Sequence, residues 1–143
     1  MKKAFVIMNE THSLLPEQEE ILRERFEDYE VISVPAAGWS LEQMKRKAEE
    51  LCYLAAGADV QEIAGRKVVY FPADTPGNAI VFVSPIPFLM KELTIRSIRG
   101  TYVELETRQI YDVLVFHNDR REKKELPDGR IIQVVDREGW QLV

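Results

Sequence analysis

The chemistry-bearing residues of this chain gather in three short polar clusters, and two of them contain its only histidines. The first, Asn9-Glu10-Thr11-His12-Ser13, follows the apolar run Ala4-Phe5-Val6-Ile7-Met8. The second, His117-Asn118-Asp119-Arg120-Arg121, follows Val113-Leu114-Val115-Phe116. The third is Asp74-Thr75-Pro76-Gly77-Asn78, after Lys67-Val68-Val69-Tyr70-Phe71. Imidazole suits proton transfer near neutrality, hydroxyls and carboxamides donate to sugar and phosphate oxygens, and guanidinium offsets phosphate charge. Such a set fits recognition of a phosphodiester and its sugar hydroxyls. It also fits metal-free cleavage of an RNA-type linkage, in which the substrate's own 2′-hydroxyl attacks the adjacent phosphorus. That reaction needs alignment of the attacking and leaving oxygens, charge stabilisation and acid–base help.

Each cluster also fits a plainer role. A histidine after a strand can simply bond nearby backbone, Asp74-Thr75-Pro76-Gly77 can be only a turn, and Arg120 to Glu125 can form a solvated hairpin arm of balanced charge. Other chemistries lack their signatures. There is no G-x-G-x-x-G, G-K-[ST] or G-x-S-x-G pattern. Two histidines far apart, without a defined partner, argue poorly for zinc. The lone Cys52 sits in an apolar stretch and reads as a buried structural thiol. No metal or cofactor is expected.

The positions of these clusters depend on the elements between them. Residues 3–8 predict a buried strand, 17–28 a helix opened by Pro16, and 29–34 a second strand ended by Pro35. Ser40-Leu41-Glu42-Gln43 is a capping box with Trp39 and Met44 at the staple positions, starting a helix that Gly57 stops. Strands are expected at 67–71, 79–83 and 112–116, a short helix at 88–95, and an exposed strand at 101–106. Leu126-Pro127-Asp128-Gly129-Arg130 predicts a hairpin turn with 131–135 as its second arm. The opening alternation of strand and helix implies parallel strands joined by right-handed crossovers. The expectation is one α/β domain over 1–143, a Rossmann-like three-layer sandwich whose mostly parallel central sheet is followed by a C-terminal hairpin. All three clusters are then expected at the carboxyl edge of that sheet, where open α/β sheets bind ligands.

At 143 residues, 45% hydrophobic and 30% charged, the chain can build one core without disulfides. Its net charge is −5, with the acidic excess in residues 1–60, so no long nucleic acid is expected as a partner. No apolar stretch has the length of a membrane span, and the run after Lys3 is too short for a signal-peptide core. The expectation is a soluble cytoplasmic protein without a membrane partner.

The segment Thr11-His12-Ser13-Leu14-Leu15-Pro16-Glu17-Gln18 resembles the N-terminal H-x-L-T-x-x-Q pattern of small stand-alone CRISPR-associated ring nucleases, which have a Rossmann-like fold related to cyclic-oligoadenylate sensor domains. Leu15 stands where that pattern has threonine, so a helix cap is lost there and Ser13 is a candidate replacement. Phe116-His117-Asn118-Asp119-Arg120-Arg121 is a looser counterpart of their arginine-ending strand. The resemblance implies a homodimer that binds cyclic oligoadenylate, foremost the tetra-adenylate ring, and cleaves it without metal to switch off type III CRISPR signalling. On that basis His12 and Arg120 are the expected catalytic pair. Asn9, Thr11, Ser13, Asp74, Thr75, Asn78, His117, Asn118 and Arg121 are the expected ligand contacts. The rivals are a non-catalytic module that senses or sequesters the nucleotide, and a regulatory subunit that binds only protein.

Overall fold

The computed structural model describes residues 2–100 and 107–143, so the strand expected at 101–106 lies outside the described residues. The first strand, β1 (Lys3–Asn9), has five consecutive buried apolar residues, Ala4 to Met8. Such a run needs neighbours on both edges and cover on both faces. It pairs in parallel with β2 (Asp28–Val34) on one side and with β5 (Ala79–Phe82) on the other. Beyond β5 come the parallel β8 (Asp112–Asn118) and then the antiparallel β11 (Trp140–Leu142). The sheet order is β11-β8-β5-β1-β2. The described residues are therefore mixed α/β, with a five-stranded, mostly parallel sheet and three helices.

The period-two alternation of strands sorts the core into two clusters. Phe5, Ile7, Ile80 and Phe82 join Ala48, Leu51, Cys52 and Ala55 of α2 (Leu41–Ala56) and Leu89 and Leu93 of α3 (Pro87–Arg96). Ala4, Val6, Ala79 and Val81 join Leu22 of α1 (Pro16–Arg25) and Phe26 just beyond it. The chain steps one way from β1 to β2 and the other way to β5 and β8. Right-handed crossovers then place α1 and α2 on opposite faces.

Helix ends follow local chemistry. Ser40 Oγ accepts from the Gln43 N–H while Gln43 Oε1 accepts from the Ser40 N–H, completing the expected box, and Gly57 closes α2 at φ 67°. At α1 the Leu15 side chain has no acceptor to offer. Gln18, buried, reaches back so that its Oε1 accepts from the Leu15 N–H at 3.0 Å. Ser13 is exposed and does not cap α1.

Much of the rest departs from the expected sandwich. Three two-stranded antiparallel ribbons stand outside the sheet, so the described residues do not form a three-layer sandwich as a whole. They are β3 (Asp59–Ile63) with β4 (Arg66–Tyr70), β6 (Ile98–Gly100) with β7 (Thr107–Gln109), and β9 (Arg121–Glu125) with β10 (Ile131–Val135). The segment expected as the third sheet strand is β4, paired only with β3. Lys67 of β4 ties that ribbon to α2 through Glu49 at 2.8 Å. This bond, then a second from the Tyr53 hydroxyl, holds the Glu49 carboxyl below the usual carboxylate range. The C-terminal hairpin is as expected: Leu126 C=O accepts from the Gly129 N–H, and Gly129 has φ 84°.

Candidate functional site

The strand order reverses at β1, so the β1/β5 boundary is the topological switch point of the sheet. A crevice opens there outside the strands' carboxyl ends. Ser84, two residues past β5, is buried and spans this boundary: its Oγ accepts from the Asn9 N–H at 3.0 Å and lies 3.2 Å from His12 Nδ1. The His12 backbone is fixed by its N–H donating to Asn9 C=O at 2.9 Å. Asn9 Oδ1 accepts from both the N–H and the hydroxyl of Thr11, at 3.0 and 2.8 Å. His12 Nδ1 is thus engaged toward the protein, and the exposed imidazole keeps Nε2 for a ligand.

Beside these residues is a cleft of about 230 Å³ lined by Asn9, Gly38, Trp39, Met44, Ser84 and Ile86, among others. Its outer wall is held by Glu10, whose carboxylate accepts from the Ala36 N–H at 2.9 Å. Trp39 packs against the core and carries the Lys47 ammonium 5.5 Å from its ring centroid. Ligand pockets for whole drug-sized molecules run from about 300 to 1,000 Å³. This cleft is smaller than that range.

Two helices start at this crevice, and neither has a side-chain cap: α1 after β1 and α3 after β5. The helix starting beyond β2, α2, is capped by Ser40. Uncapped first-turn N–H groups and the helix dipole favour an anion. At α1 that field is offset by Glu17 and Glu19 in the first turn. At α3 the first turn has no acidic residue, so the α3 start is the more electropositive.

The cluster after β8 lies on the same rim, but the side chains of Asn118 and Arg121 are committed to the protein's own backbone. Asn118 is buried, and its Nδ2 donates to Asp136 C=O and Glu138 C=O at 2.8 and 3.0 Å. Its Oδ1 accepts from the Arg120 N–H at 2.8 Å. One Arg121 Nη donates to the carbonyls of Asn118 and Arg120. Glu17 reaches over from α1 to accept from the N–H groups of Gly139 and Trp140 at 2.9 and 2.7 Å. Arg120 lies against Gly139, where a Cβ would fall under 3 Å from its side chain. A shallow pocket joins Arg120 to Glu17, Asp119 and Glu138. With three acidic residues and one arginine in its lining, that pocket disfavours a phosphate. His117 is exposed.

The third cluster is not on this rim. Asp74, Thr75 and Asn78 precede β5 and stand at the amino edge, because β4 does not belong to the sheet. Asn78 is a clamp there: its Oδ1 accepts from the Lys3 N–H, its Nδ2 donates to Ala55 C=O, and its carbonyl accepts from the Asp112 N–H. Thr75 Oγ1 donates to Gln109 C=O at 3.4 Å, and Asp74 is exposed. The expected second wall of the site is corrected accordingly. The structure brings together Asn9, Thr11, His12 and Ser13, with Asn118, Arg120 and Arg121 farther along the same edge.

Ser84 is the residue that sequence reasoning missed. Its signal was present: a small hydroxyl directly after the apolar run 79–83, followed by prolines that forbid the strand to continue. No family model, curated protein or solved structure matches this chain.

Proposed function

We propose that the β1/β5 crevice binds a nucleotide phosphodiester, with cyclic tetra-adenylate as the leading ligand, on a Rossmann-like framework. The carrying observation is the bridge from the Asn9 N–H through Ser84 Oγ to His12 Nδ1, beside the uncapped start of α3. One phosphate sits at the α3 N–H groups, one adenine enters the cleft against Trp39, and His12 Nε2 meets the ribose. The remaining ring lies over Thr11 and Ser13.

In the catalytic form of this reading, His12 takes the proton of the 2′-hydroxyl as that oxygen attacks phosphorus. The bond from phosphorus to the 5′-oxygen breaks, the leaving oxygen takes a proton from water, and the His12 imidazolium returns its proton to solvent. The products are linear, with a 2′,3′-cyclic phosphate and a 5′-hydroxyl, and the helix dipole stabilises the developing charge. A second reading, binding without cleavage, is favoured by the pocket of Arg120, where Glu17, Asp119 and Glu138 also line the wall and work against a phosphate.

The test is incubation with cyclic tetra-adenylate in EDTA, with products resolved by chromatography. Cyclic-phosphate-ended linear products, lost in His12→Ala, support the enzyme. Tight binding with the ring intact supports the sensor. No binding and no turnover for any ring size overturns both.

A further inference from the structure

The β9–β10 ribbon stands apart from the sheet, and among the described residues nothing pairs with its outer edges. Its phase is fixed by the bonds at its two ends. The Leu126 N–H donates to Arg130 C=O and the Asp136 N–H to Arg120 C=O. Antiparallel ladders alternate bonded and non-bonded pairs. With Ile131 opposite Glu125, Gln133 opposite Lys123 and Val135 opposite Arg121, these three pairs are the non-bonded ones. The backbone N–H and C=O groups of Ile131, Gln133 and Val135 therefore point to the free side of β10, and those of Arg121, Lys123 and Glu125 to the free side of β9.

The two free edges differ in kind. The β9 edge carries charge at every outward position, which is how natural sheets prevent edge pairing. The β10 edge carries none: Ile-Ile-Gln-Val-Val is charge-free, proline-free and rich in β-branched residues. Ile131 is 68% exposed, Val135 45% and Ile132 39%. A solitary two-stranded ribbon is marginal in water, whereas a four-stranded one is not.

We propose that β10 is a dimer edge occupied by β10 of a second copy of this chain, antiparallel and centred on Gln133. The segment is self-complementary under that two-fold. Ile131 meets the partner's Val135, Gln133 meets the partner's Gln133, and every outward N–H finds a carbonyl. The result is a continuous ribbon β9-β10-β10-β9 with charged outer edges and an apolar middle, closed by isologous symmetry. This rests on the ribbon alone and stands whether or not the crevice binds a nucleotide.

The test is sedimentation equilibrium of the full chain across micromolar concentrations. A proline at an outward N–H removes no bond within the ribbon. The wild type is expected to be a dimer, Gln133→Pro a monomer, and Lys123→Pro a dimer. A monomeric wild type, a dimeric Gln133→Pro or open-ended oligomers of the wild type overturn the proposal. Should Gln133→Pro misfold by circular dichroism, Gln133→Cys decides. Bonded antiparallel pairs lie about 5.5 Å apart at Cα, within disulfide range. Oxidation is expected to yield a covalent dimer from Gln133→Cys and none from Lys123→Cys; no crosslink at 133 overturns the proposal.

Discussion

Ser84 does two things with one hydroxyl: it satisfies the N–H at the end of β1, and it orients the imidazole of His12. Ser84→Ala strands that N–H and frees the ring. The expected cost is about 1–3 kcal/mol of stability, read by urea denaturation. In the catalytic form of the proposed function, turnover of cyclic tetra-adenylate is expected to fall about 100-fold with KM little changed, and Ser84→Thr to restore most of it. Arg120→Ala is expected to leave affinity within a few-fold, since the pocket that Arg120 lines is also lined by Glu17, Asp119 and Glu138. Cys52 makes the opposite case, a nucleophile kept silent. Burial pushes its thiol above the usual range, with Tyr111 packed beside it in the core. The native chain is expected to resist a thiol reagent at mildly alkaline pH, and one equivalent is expected to react after unfolding.

Elements that own their stabilising chemistry were legible in sequence. The capping box of α2, the apolar run of β1 and the Pro-Asp-Gly turn all formed as read, because each is satisfied by residues within a few positions. The β3–β4 hairpin was not legible, because its two-residue turn is Ala64-Gly65, with φ of 53° and 76°. A turn with both central residues at positive φ usually announces itself by Asn-Gly or Asp-Gly. Alanine pays a steric cost there that only the finished ribbon offsets. That ribbon is held to α2 by Glu49 and Lys67, which gives it a pH signature. The depressed Glu49 carboxyl supports folding above the ordinary carboxylate range and ceases to as pH falls through its folded value. Lys67, raised by the same bond, supports folding at neutral pH and ceases to as pH rises through its own folded value. The melting temperature of wild type is expected to exceed that of Glu49→Gln near neutrality, and the gap to close in strong acid. A gap independent of pH would remove the pair from the account.

At the scale of the whole molecule, the site depends on which strands share a sheet. His12 and His117 were placed on one edge correctly because both follow strands that run parallel in that sheet. The 74–78 loop was misplaced because β4 looks like a sheet strand locally but pairs only with β3, and pairing between distant segments leaves no local mark. The same topology that removed Asp74 and Asn78 from the crevice supplied Ser84 to it. No described helix is long and apolar enough to cross a membrane. The proposed function requires that ligand enter at the carboxyl ends of β1 and β5. An amide NMR titration with cyclic tetra-adenylate tests this most directly. Shifts are expected at Asn9, His12, Ser84 and Phe88, with Lys3 and Asn78 silent; shifts confined to the Lys3 and Asn78 end would contradict binding at the crevice.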